Sequence, residues 1–262
     1  MKNIHKIFSD WNITQIIILE KFGVKVEEGY DSFILEEGEV YNSLKPYLDK
    51  WHVRNDTISQ FSDQDLNNAD RLVLRDVWAN SYPMPDGDGG YKKLTYEDTD
   101  YCTECGVGLL QKEPFRLKKE PNWGNKKIFS LNWIYDELFV ERSFYETLLK
   151  GYEIEAKPVL LYKKDTIIDS VLQLVIPITS ASLQLDSYAF EVCKSCGRKR
   201  YALINHGFFP PFEEHSDESR HLFKSNEYFG TGANARRYIF ISSELRKQLE
   251  KFKVKANYIP CS

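Results

Sequence analysis

Two short cysteine frames restrict this chain more than any other feature of its 262 residues. Each has the form Cys-x-x-Cys-Gly, at Cys102–Gly106 and at Cys193–Gly197. In such a turn the two thiolates converge on one metal ion, and the glycine tolerates the positive φ of the tight turn. Two frames supply four sulfurs, the complete tetrahedral set of a closed structural zinc site. The sequence therefore predicts one structural zinc ion bound by Cys102, Cys105, Cys193 and Cys196.

The separation of the two frames leaves other arrangements open. Residues 106–192, 87 in number, separate the frames, whereas a compact zinc ribbon has about 15 to 20. Two separate sites, each with two cysteines and two histidines, are disfavoured because no histidine occurs between His52 and His206. A redox-active dithiol, or no metal at all, are the remaining alternatives. No role is predicted for the fifth cysteine, Cys261.

A similar segment follows each frame. Residues 138–150 match residues 239–251 at a constant offset of 101, and each segment leads to a short stretch that ends near a proline. The apolar triplets at the start of each segment are rich in β-branched and aromatic residues, which favours a buried strand. Residues spaced four apart then predict one apolar helix face in each copy. The residues predicted for these faces are Phe144 with Leu148 and Leu245 with Leu249, and those predicted as N-caps are Ser143 and Ser242.

These patterns predict an internal duplication. Each copy, about 96–180 and 187–262, contains one zinc knuckle and one βαβ-like unit, and the zinc ion joins the two copies. The predicted fold is therefore α+β, with an acidic N-terminal α/β region packed against the duplicated part. We place the domain boundary between 1–95 and 96–262.

The N-terminal part of the chain is acidic, and no part of the sequence has the pattern of a membrane-spanning segment. Residues 1–100 carry 11 lysines and arginines against 19 aspartates and glutamates, whereas residues 101–262 carry 24 against 20. The spacing of apolar residues over 38–51 is helical but is interrupted by Pro46. The longest apolar stretches are shorter than the roughly 20 residues of a membrane-spanning helix, and no signal peptide is recognisable. We expect a cytoplasmic protein.

Basic side chains cluster near both frames and indicate a second possible function. With nearby tyrosines and phenylalanines they could bind a nucleic-acid backbone and stack bases, as zinc ribbons do. The weak positive charge of this region argues against that function. The residues concerned are Lys112, Arg116, Lys118, Lys119, Lys126 and Lys127 after the first frame, and Lys194, Arg198, Lys199 and Arg200 around the second.

Motifs for catalysis are not apparent, and we predict that the chain is not an enzyme. It has no GxSxG, HExxH or Walker sequence. The histidines that could act as general bases, His206, His215 and His221, have no partner that the sequence identifies. Gly230-Thr-Gly232 resembles only part of a phosphate-binding loop.

The two frames with their following segments resemble the double-CXXCG motif proteins of bacteria. The resemblance covers residues from about 96 to 262 and is carried by the four frame cysteines, Cys102, Cys105, Cys193 and Cys196. Some members of that family are described as immunity proteins that neutralise a toxin from the same locus. The resemblance implies a non-catalytic binding protein whose partner is a cognate toxin. If that toxin has a basic groove, acidic residues such as Glu36, Glu37 and Glu39 would complement it.

Overall fold

A computed structural model describes residues 1–213 and 220–262. The chain forms two compact units. The N-terminal unit contains residues 1–68 and the segment 204–208, and the larger unit contains residues 69–203 and 209–262. The units therefore divide at 68/69, and not at the predicted boundary of 95/96. The reason is that the strand over residues 71–76 pairs with strands that follow the second cysteine frame.

The N-terminal unit contains an antiparallel three-stranded sheet and two longer helices that pack on one of its faces. The elements are β1 (Lys2–Trp11), α1 (Ile13–Lys21), β2 (Gly29–Glu36), α2 (Glu39–Trp51), β3 (Arg54–Gln60) and α3 (Asp63–Asn68). The sheet has the order β2-β1-β3, so the longest strand lies in the centre.

The alternation of buried and exposed residues along β1 shows which face of this sheet packs against the helices. Ile7 and Trp11 are buried with Leu19 of α1 and Leu44 of α2, because residues two apart on a strand share a face. The helical spacing over 38–51 is confirmed, since α2 continues through Pro46. Neither α1 nor α2 buries residues against the opposite face, where Tyr30, Ile34 and Ile58 are exposed.

The larger unit is built from several sheets. Its six-stranded sheet has the order β5-β9-β10-β12-β11-β8, its four-stranded sheet β15-β17-β4-β18, and its three-stranded sheet β13-β14-β16, while β6 pairs with β7. The strands are β4 (Arg71–Asp76), β5 (Trp78–Ala79), β6 (Tyr96–Glu97), β7 (Leu110–Gln111), β8 (Arg116–Leu117), β9 (Ile128–Ser130), β10 (Phe139–Glu141), β11 (Ala156–Leu161), β12 (Thr166–Leu174), β13 (Phe190–Val192), β14 (Lys199–Tyr201), β15 (Leu222–Lys224), β16 (Tyr228–Phe229), β17 (Ile239–Ser242) and β18 (Asn257–Pro260). The helices are α4 (Gly90–Thr95), α5 (Arg142–Thr147) and α6 (Ser243–Lys251), with 3₁₀ turns at Leu149–Tyr152 and Gly232–Asn234.

Both segments that share the offset of 101 fold as strand, helix and strand. The first gives β10-α5-β11 and the second gives β17-α6-β18. In each sheet one antiparallel strand lies between the two strands of the segment, β12 in the first case and β4 in the second. The first strand of each segment also pairs antiparallel with an earlier strand, β10 with β9 and β17 with β15, although the short strand β16 lies between β15 and β17 in the chain. The mixed α+β class is thus confirmed, and the strand orders of the two halves correspond.

Aromatic residues at equivalent positions pack in the same way in the two sheets. Phe139 on β10 and Phe240 on β17 differ in number by the offset of 101. Phe139 stacks on its directly opposed partner Phe129, with ring centroids 5.2 Å apart and planes at 13°. Phe240 stacks on its opposed partner Phe223 at 5.5 Å and 10°. A cross-strand aromatic pair therefore lies at the same register position in each half.

The helices α5 and α6 of these two segments differ at their ends. Ser242 is the N-cap of α6, since its hydroxyl accepts a hydrogen bond from the Leu245 amide at 3.1 Å. The predicted N-cap Ser143 is wrong, because α5 begins at Arg142 and its N-cap, Glu141, makes no side-chain cap. The chain leaves α5 after Thr147, so Leu149, and not Leu148, is the buried leucine at its end. Among residues 1–213 and 220–262, no helix has the length and apolarity needed to cross a membrane.

We expect Ser242→Ala to lower the free energy of unfolding by about 1 kcal/mol, because it leaves an amide at the start of α6 without its cap. Ser143→Ala is the matched control and should change it by less than about 0.5 kcal/mol, since Ser143 is exposed and caps no helix. Urea unfolding followed by circular dichroism measures both variants. Equal effects of the two substitutions would contradict this assignment of the cap.

Candidate metal centre

The first cysteine frame forms a tight turn closed by backbone hydrogen bonds. The Cys102 amide donates to the Val107 carbonyl at 2.8 Å, and the Gly106 amide donates to the Cys102 carbonyl at 2.8 Å. Gly106 has a φ of 79°, in the left-handed region that favours glycine. The turn therefore directs both thiols to one side and needs glycine at its fifth position.

The second frame repeats this turn. The Cys193 amide donates to the Arg198 carbonyl at 2.9 Å, and the Gly197 amide donates to the Cys193 carbonyl at 2.8 Å. Gly197 has a φ of 73°. The predicted positive φ is thus confirmed at both glycines, and the two frames have the same local structure.

All four frame sulfurs lie in one cluster. Each Sγ atom is within 4.8 Å of the other three. Sγ of Cys102 lies 3.7 Å from that of Cys193, and Sγ of Cys105 lies 3.6 Å from that of Cys196. These distances are too long for a disulfide, whose sulfurs are about 2.05 Å apart. They match the edge of a sulfur tetrahedron with metal–sulfur bonds of about 2.3 Å, which is about 3.8 Å. The cluster could therefore bind a metal ion.

Burial and hydrogen bonding give the thiols unequal acidity. Donation by the Cys105 amide lowers the pKa of the Cys102 thiol to about 6, whereas burial raises the pKa of the Cys105 thiol to about 12. Four adjacent sulfurs in a largely buried site cannot all ionise without a compensating positive charge. A divalent cation supplies that charge and at the same time satisfies all four sulfurs.

Residues outside the frames hold the two turns together. Arg198, next to the second frame, donates from Nη1 to the Asp100 carbonyl at 2.8 Å and also contacts the Asp100 carboxylate. The Gly232 amide donates to the Cys105 carbonyl at 2.9 Å. Gly230-Thr-Gly232 thus supports the first frame, which explains its glycines without a phosphate. Sequence reasoning missed these supports, because nothing in the spacing relates residues 100, 198 and 232.

The cluster distinguishes among the arrangements that the sequence left open. Two separate metal sites require the frames to lie apart, whereas all four sulfurs share one position. Cys261 lies outside the cluster. With four protein ligands a metal ion here has no open position for water or substrate, so the site is suited to a structural role.

Among the histidines considered as general bases, His206 and His221 lie outside the cysteine cluster. His221 Nδ1 lies 2.9 Å from the hydroxyl oxygen of Ser242, and its ring packs against that of Tyr152. Because the Ser242 hydroxyl also caps α6, the His221 contact serves the start of that helix. His206 belongs to the segment 204–208 of the N-terminal unit. His215 lies outside the described residues.

Many of the predicted basic residues are engaged within the protein. Arg116 pairs with Asp165 at 2.6 Å, and the Lys127 ammonium pairs with Glu141. Arg198 is paired with Asp100, as described above. Other basic side chains also contact groups of the larger unit: Arg200 binds the Gly230 carbonyl and Glu191, and Lys199 lies over the rings of Phe190 and Tyr201. A nucleic-acid backbone would have to compete with these internal partners.

Comparison with known proteins adds no relative to this description. No model of a protein family, no curated protein and no solved structure matches the chain. The candidate metal centre therefore rests on the repeated turn, the distances between the four sulfurs and their burial.

Proposed function

We propose that this chain is a non-catalytic, zinc-stabilised binding protein of the bacterial cytoplasm that neutralises a cognate toxin. The resemblance of its two frames to the double-CXXCG motif proteins motivates the proposal. The exposed face of the N-terminal sheet is the observation that supports it most directly. Cysteines grouped around a metal, and not paired as disulfides, are typical of a reducing compartment.

Zinc is the metal that suits the cluster best. Four thiolates in a tetrahedron bind zinc or iron with similar geometry, but zinc knuckles are the usual setting of the Cys-x-x-Cys-Gly turn. When bound, zinc would cross-link the two frames and contribute folding energy to the larger unit. All four protein ligands would remain on the metal, so binding of the toxin would take place elsewhere on the chain.

An internal duplication would account for the corresponding halves of the larger unit. Each half contains a frame, a sheet of matching strand order and a stacked phenylalanine pair at the same register. The central strand of the first sheet, β12, follows its segment, whereas that of the second, β4, precedes the first frame. The second sheet therefore takes its central strand from a segment that lies outside both copies, and the metal would connect the two copies.

The open sheet face, which we define as Ile4, Phe8, Tyr30, Ile34 and Ile58, offers a surface for the toxin. Register places these residues on one side of the sheet, since Ile4 lies opposite Ile58 and Lys6 lies opposite Ile34. Tyr30 is 76% exposed, Ile34 62% and Ile58 43%. Contiguous exposed apolar groups often mark protein–protein interfaces, and tyrosine is frequent among the residues that dominate binding energy.

Acidic residues lie next to the open sheet face. Glu36 is on β2 and pairs with Lys2 at 2.8 Å, and Glu37 accepts a hydrogen bond from Asn3 at 2.6 Å. The N-terminal unit has 7 lysines and arginines against 12 aspartates and glutamates. A basic toxin surface would be attracted to this unit, and reversing the charges of Glu36, Glu37 and Glu39 should then slow association at low salt.

A paired substitution tests the role of the open sheet face. Tyr30→Thr with Ile34→Thr keeps strand-compatible residues at exposed positions, so the fold should be retained. Ile17→Gln is the matched control, since Ile17 is an exposed aliphatic residue on α1 of the same unit. We expect tagged wild-type protein to capture one stoichiometric protein from nuclease-treated lysate of its own host at high salt. That protein should arrest growth when expressed alone, and the arrest should be relieved by wild type and by Ile17→Gln.

The double variant should bind this partner at least about 30-fold more weakly, which corresponds to the loss of about 2 kcal/mol from an interface hot spot. Absence of a stoichiometric protein, or a partner that does not arrest growth, would contradict the proposal. Recovery of nucleic-acid-associated proteins that are lost on nuclease treatment would instead support the alternative, a zinc-ribbon nucleic-acid-binding protein.

A further inference from the structure

The larger unit contains a cavity of about 400 Å³ beside the first cysteine frame. Residues 106–111, which follow Cys105, form one wall, and residues 133–137 form another. Lys224 of β15 and Arg236 also line it. Cavities that bind small molecules occupy roughly 300 to 1,000 Å³, so this one is large enough for a ligand of one or two rings.

A buried ion pair lines the inner part of the cavity. The Lys224 ammonium lies 2.6 Å from Glu137 Oε1, and both side chains are almost fully buried. Gln173, with no exposed surface, donates to Glu137 Oε2 at 2.9 Å. Both oxygens of the Glu137 carboxylate are therefore occupied by protein donors. Among the described residues the Lys224 ammonium has only this one acceptor, which leaves two of its N–H groups for a ligand.

Further polar side chains extend this network into the protein. Gln111 and Gln173 exchange amide hydrogen bonds at 2.8 and 3.0 Å, and the Lys157 ammonium donates to Gln111 at 2.9 Å. Desolvation of buried charges costs several kcal/mol, and apolar residues of similar size would stabilise the fold as well or better. A network of this kind therefore contributes little to the stability of the fold. Its position at a cavity indicates a role in binding.

Aromatic side chains also line the cavity, among them Trp133, Tyr91 and Tyr135. Trp133 has a φ of 69°, a conformation that bulky residues rarely adopt, and its side chain is 46% exposed. Its ring lies 4.5 Å from that of Tyr82 and 6.1 Å from that of Tyr91, centroid to centroid. Strained residues of this kind concentrate at ligand sites. Burial raises the pKa of Tyr91 to about 12, so its phenol stays neutral and can donate a hydrogen bond.

The cavity has an excess of positive charge and of hydrogen-bond donors. Four basic side chains line it, against the two acidic ones Asp136 and Glu137. Arg237 is committed to the carbonyls of Ser225 and Asn226. The guanidinium of Arg236 lies 4.6 Å from the ring centroid of Tyr135 but has no hydrogen-bond acceptor among the described residues. A planar guanidinium held against a ring is well placed to bind a carboxylate.

We infer that this cavity binds a small aromatic carboxylate, with the ring of the ligand against Trp133 and its carboxylate bound by Arg236 and Lys224. The site is independent of the open sheet face and of the toxin proposal. A neutral ligand would leave the donors of Arg236 and Lys224 unused, and a cationic ligand would meet the positive excess. The positive charge of the cavity therefore favours an anionic ligand, and its aromatic side chains favour a ligand with a planar ring.

Isothermal titration of the purified full-length protein with indole-3-acetate tests this inference. We expect saturable binding of one probe per chain, and binding of the uncharged analogue indole-3-acetamide that is at least about tenfold weaker. Arg236→Gln should remove most of this preference, because it deletes the charge and retains hydrogen-bonding capacity.

Trp133→Gly should weaken binding of indole-3-acetate at least about tenfold through the loss of the stacking surface. Glycine adopts positive φ without strain, so the backbone of this variant favours the native turn. Lys163→Gly is the matched control, since Lys163 is an exposed residue with a φ of 72° outside the cavity lining; its affinity should equal that of wild type. No saturable binding at millimolar probe, equal affinity for the acetate and the acetamide, or equal loss in Trp133→Gly and Lys163→Gly would each overturn the inference.

Discussion

Replacing Cys102 with serine is expected to release the metal ion and to unfold the larger unit under conditions in which the wild type is folded. The four sulfurs come from two turns that are 91 residues apart, so the metal closes a long loop as well as neutralising the thiolates. Structural zinc contributes on the order of 10 kcal/mol in small zinc-binding domains. Losing even half of that should lower the midpoint of thermal unfolding of this unit by more than about 10 °C.

Metal content and thermal unfolding should be measured together on Cys102→Ser and on Cys261→Ser. Cys261 is a free cysteine of the same unit that lies outside the cluster, so its replacement should leave the metal content unchanged. One zinc ion per chain in wild type and in Cys261→Ser, with loss of zinc and of stability in Cys102→Ser, is the expected result. Two zinc ions per chain, or a metal-free protein with unchanged stability, would refute the shared four-thiolate site.

Replacing Gly106 with alanine is expected to be the second most damaging substitution. A methyl group built at this position lies 2.0 Å from the Gly232 carbonyl oxygen and 2.7 Å from its carbon. The obstacle is backbone, so the first frame or the turn at Gly232–Asn234 has to move, and the hydrogen bond from the Gly232 amide to the Cys105 carbonyl is lost. With the strain of a positive φ, we expect a loss of about 2–5 kcal/mol in the free energy of unfolding and faster release of zinc to a chelator.

Gly197→Ala provides a matched control for this effect. Gly197 occupies the equivalent position of the second frame with nearly the same φ, but a methyl group there meets no atom within 4 Å. Its cost should be limited to about 1–2 kcal/mol of backbone strain. Chemical denaturation and chelator competition on both variants separate strain from steric conflict. Equal losses of stability in the two alanine variants would contradict the close packing of Gly232 against the first frame.

Local spacing was sufficient to predict the pairing of cysteines within each frame and the strand-helix-strand segments. A Cys-x-x-Cys-Gly turn is specified by five consecutive residues, so Cys102 and Cys105 approach each other whatever the rest of the chain does. The apolar triplets at 138–140 and 239–241 likewise carry their own strand preference, and β10 and β17 form there. That the two frames converge was predicted from coordination chemistry, because four sulfurs complete one tetrahedral site.

Long-range pairing could not be predicted in the same way. Nothing local in residues 71–76 shows that β4 lies between β17 and β18 in one sheet. That pairing moves the boundary between the units from 95/96 to 68/69. The hydrogen-bonded network at the cavity could not be predicted for the same reason. Gln173, Glu137 and Lys224 are far apart in sequence, and they come together only in the folded protein.

Serine at a helix start was a less reliable signal than the cysteine spacing. Ser143 and Ser242 both follow an apolar triplet, yet only Ser242 lies one residue before its helix and caps it. The two helices begin at equivalent positions, since their N-caps Glu141 and Ser242 differ by the offset of 101, and Ser143 lies two residues beyond the N-cap of α5. The helix start is thus repeated in the two segments, but the capping residue is not.

X-ray absorption at the zinc edge of the purified wild-type protein tests the central claim most directly. The claim is that Cys102, Cys105, Cys193 and Cys196 together form one closed structural metal centre. The account predicts a single shell of four sulfur atoms at about 2.3 Å, without nitrogen or oxygen neighbours. A shell that mixes two sulfurs with nitrogen or oxygen ligands would show that the two frames do not share one metal ion, and would contradict the account.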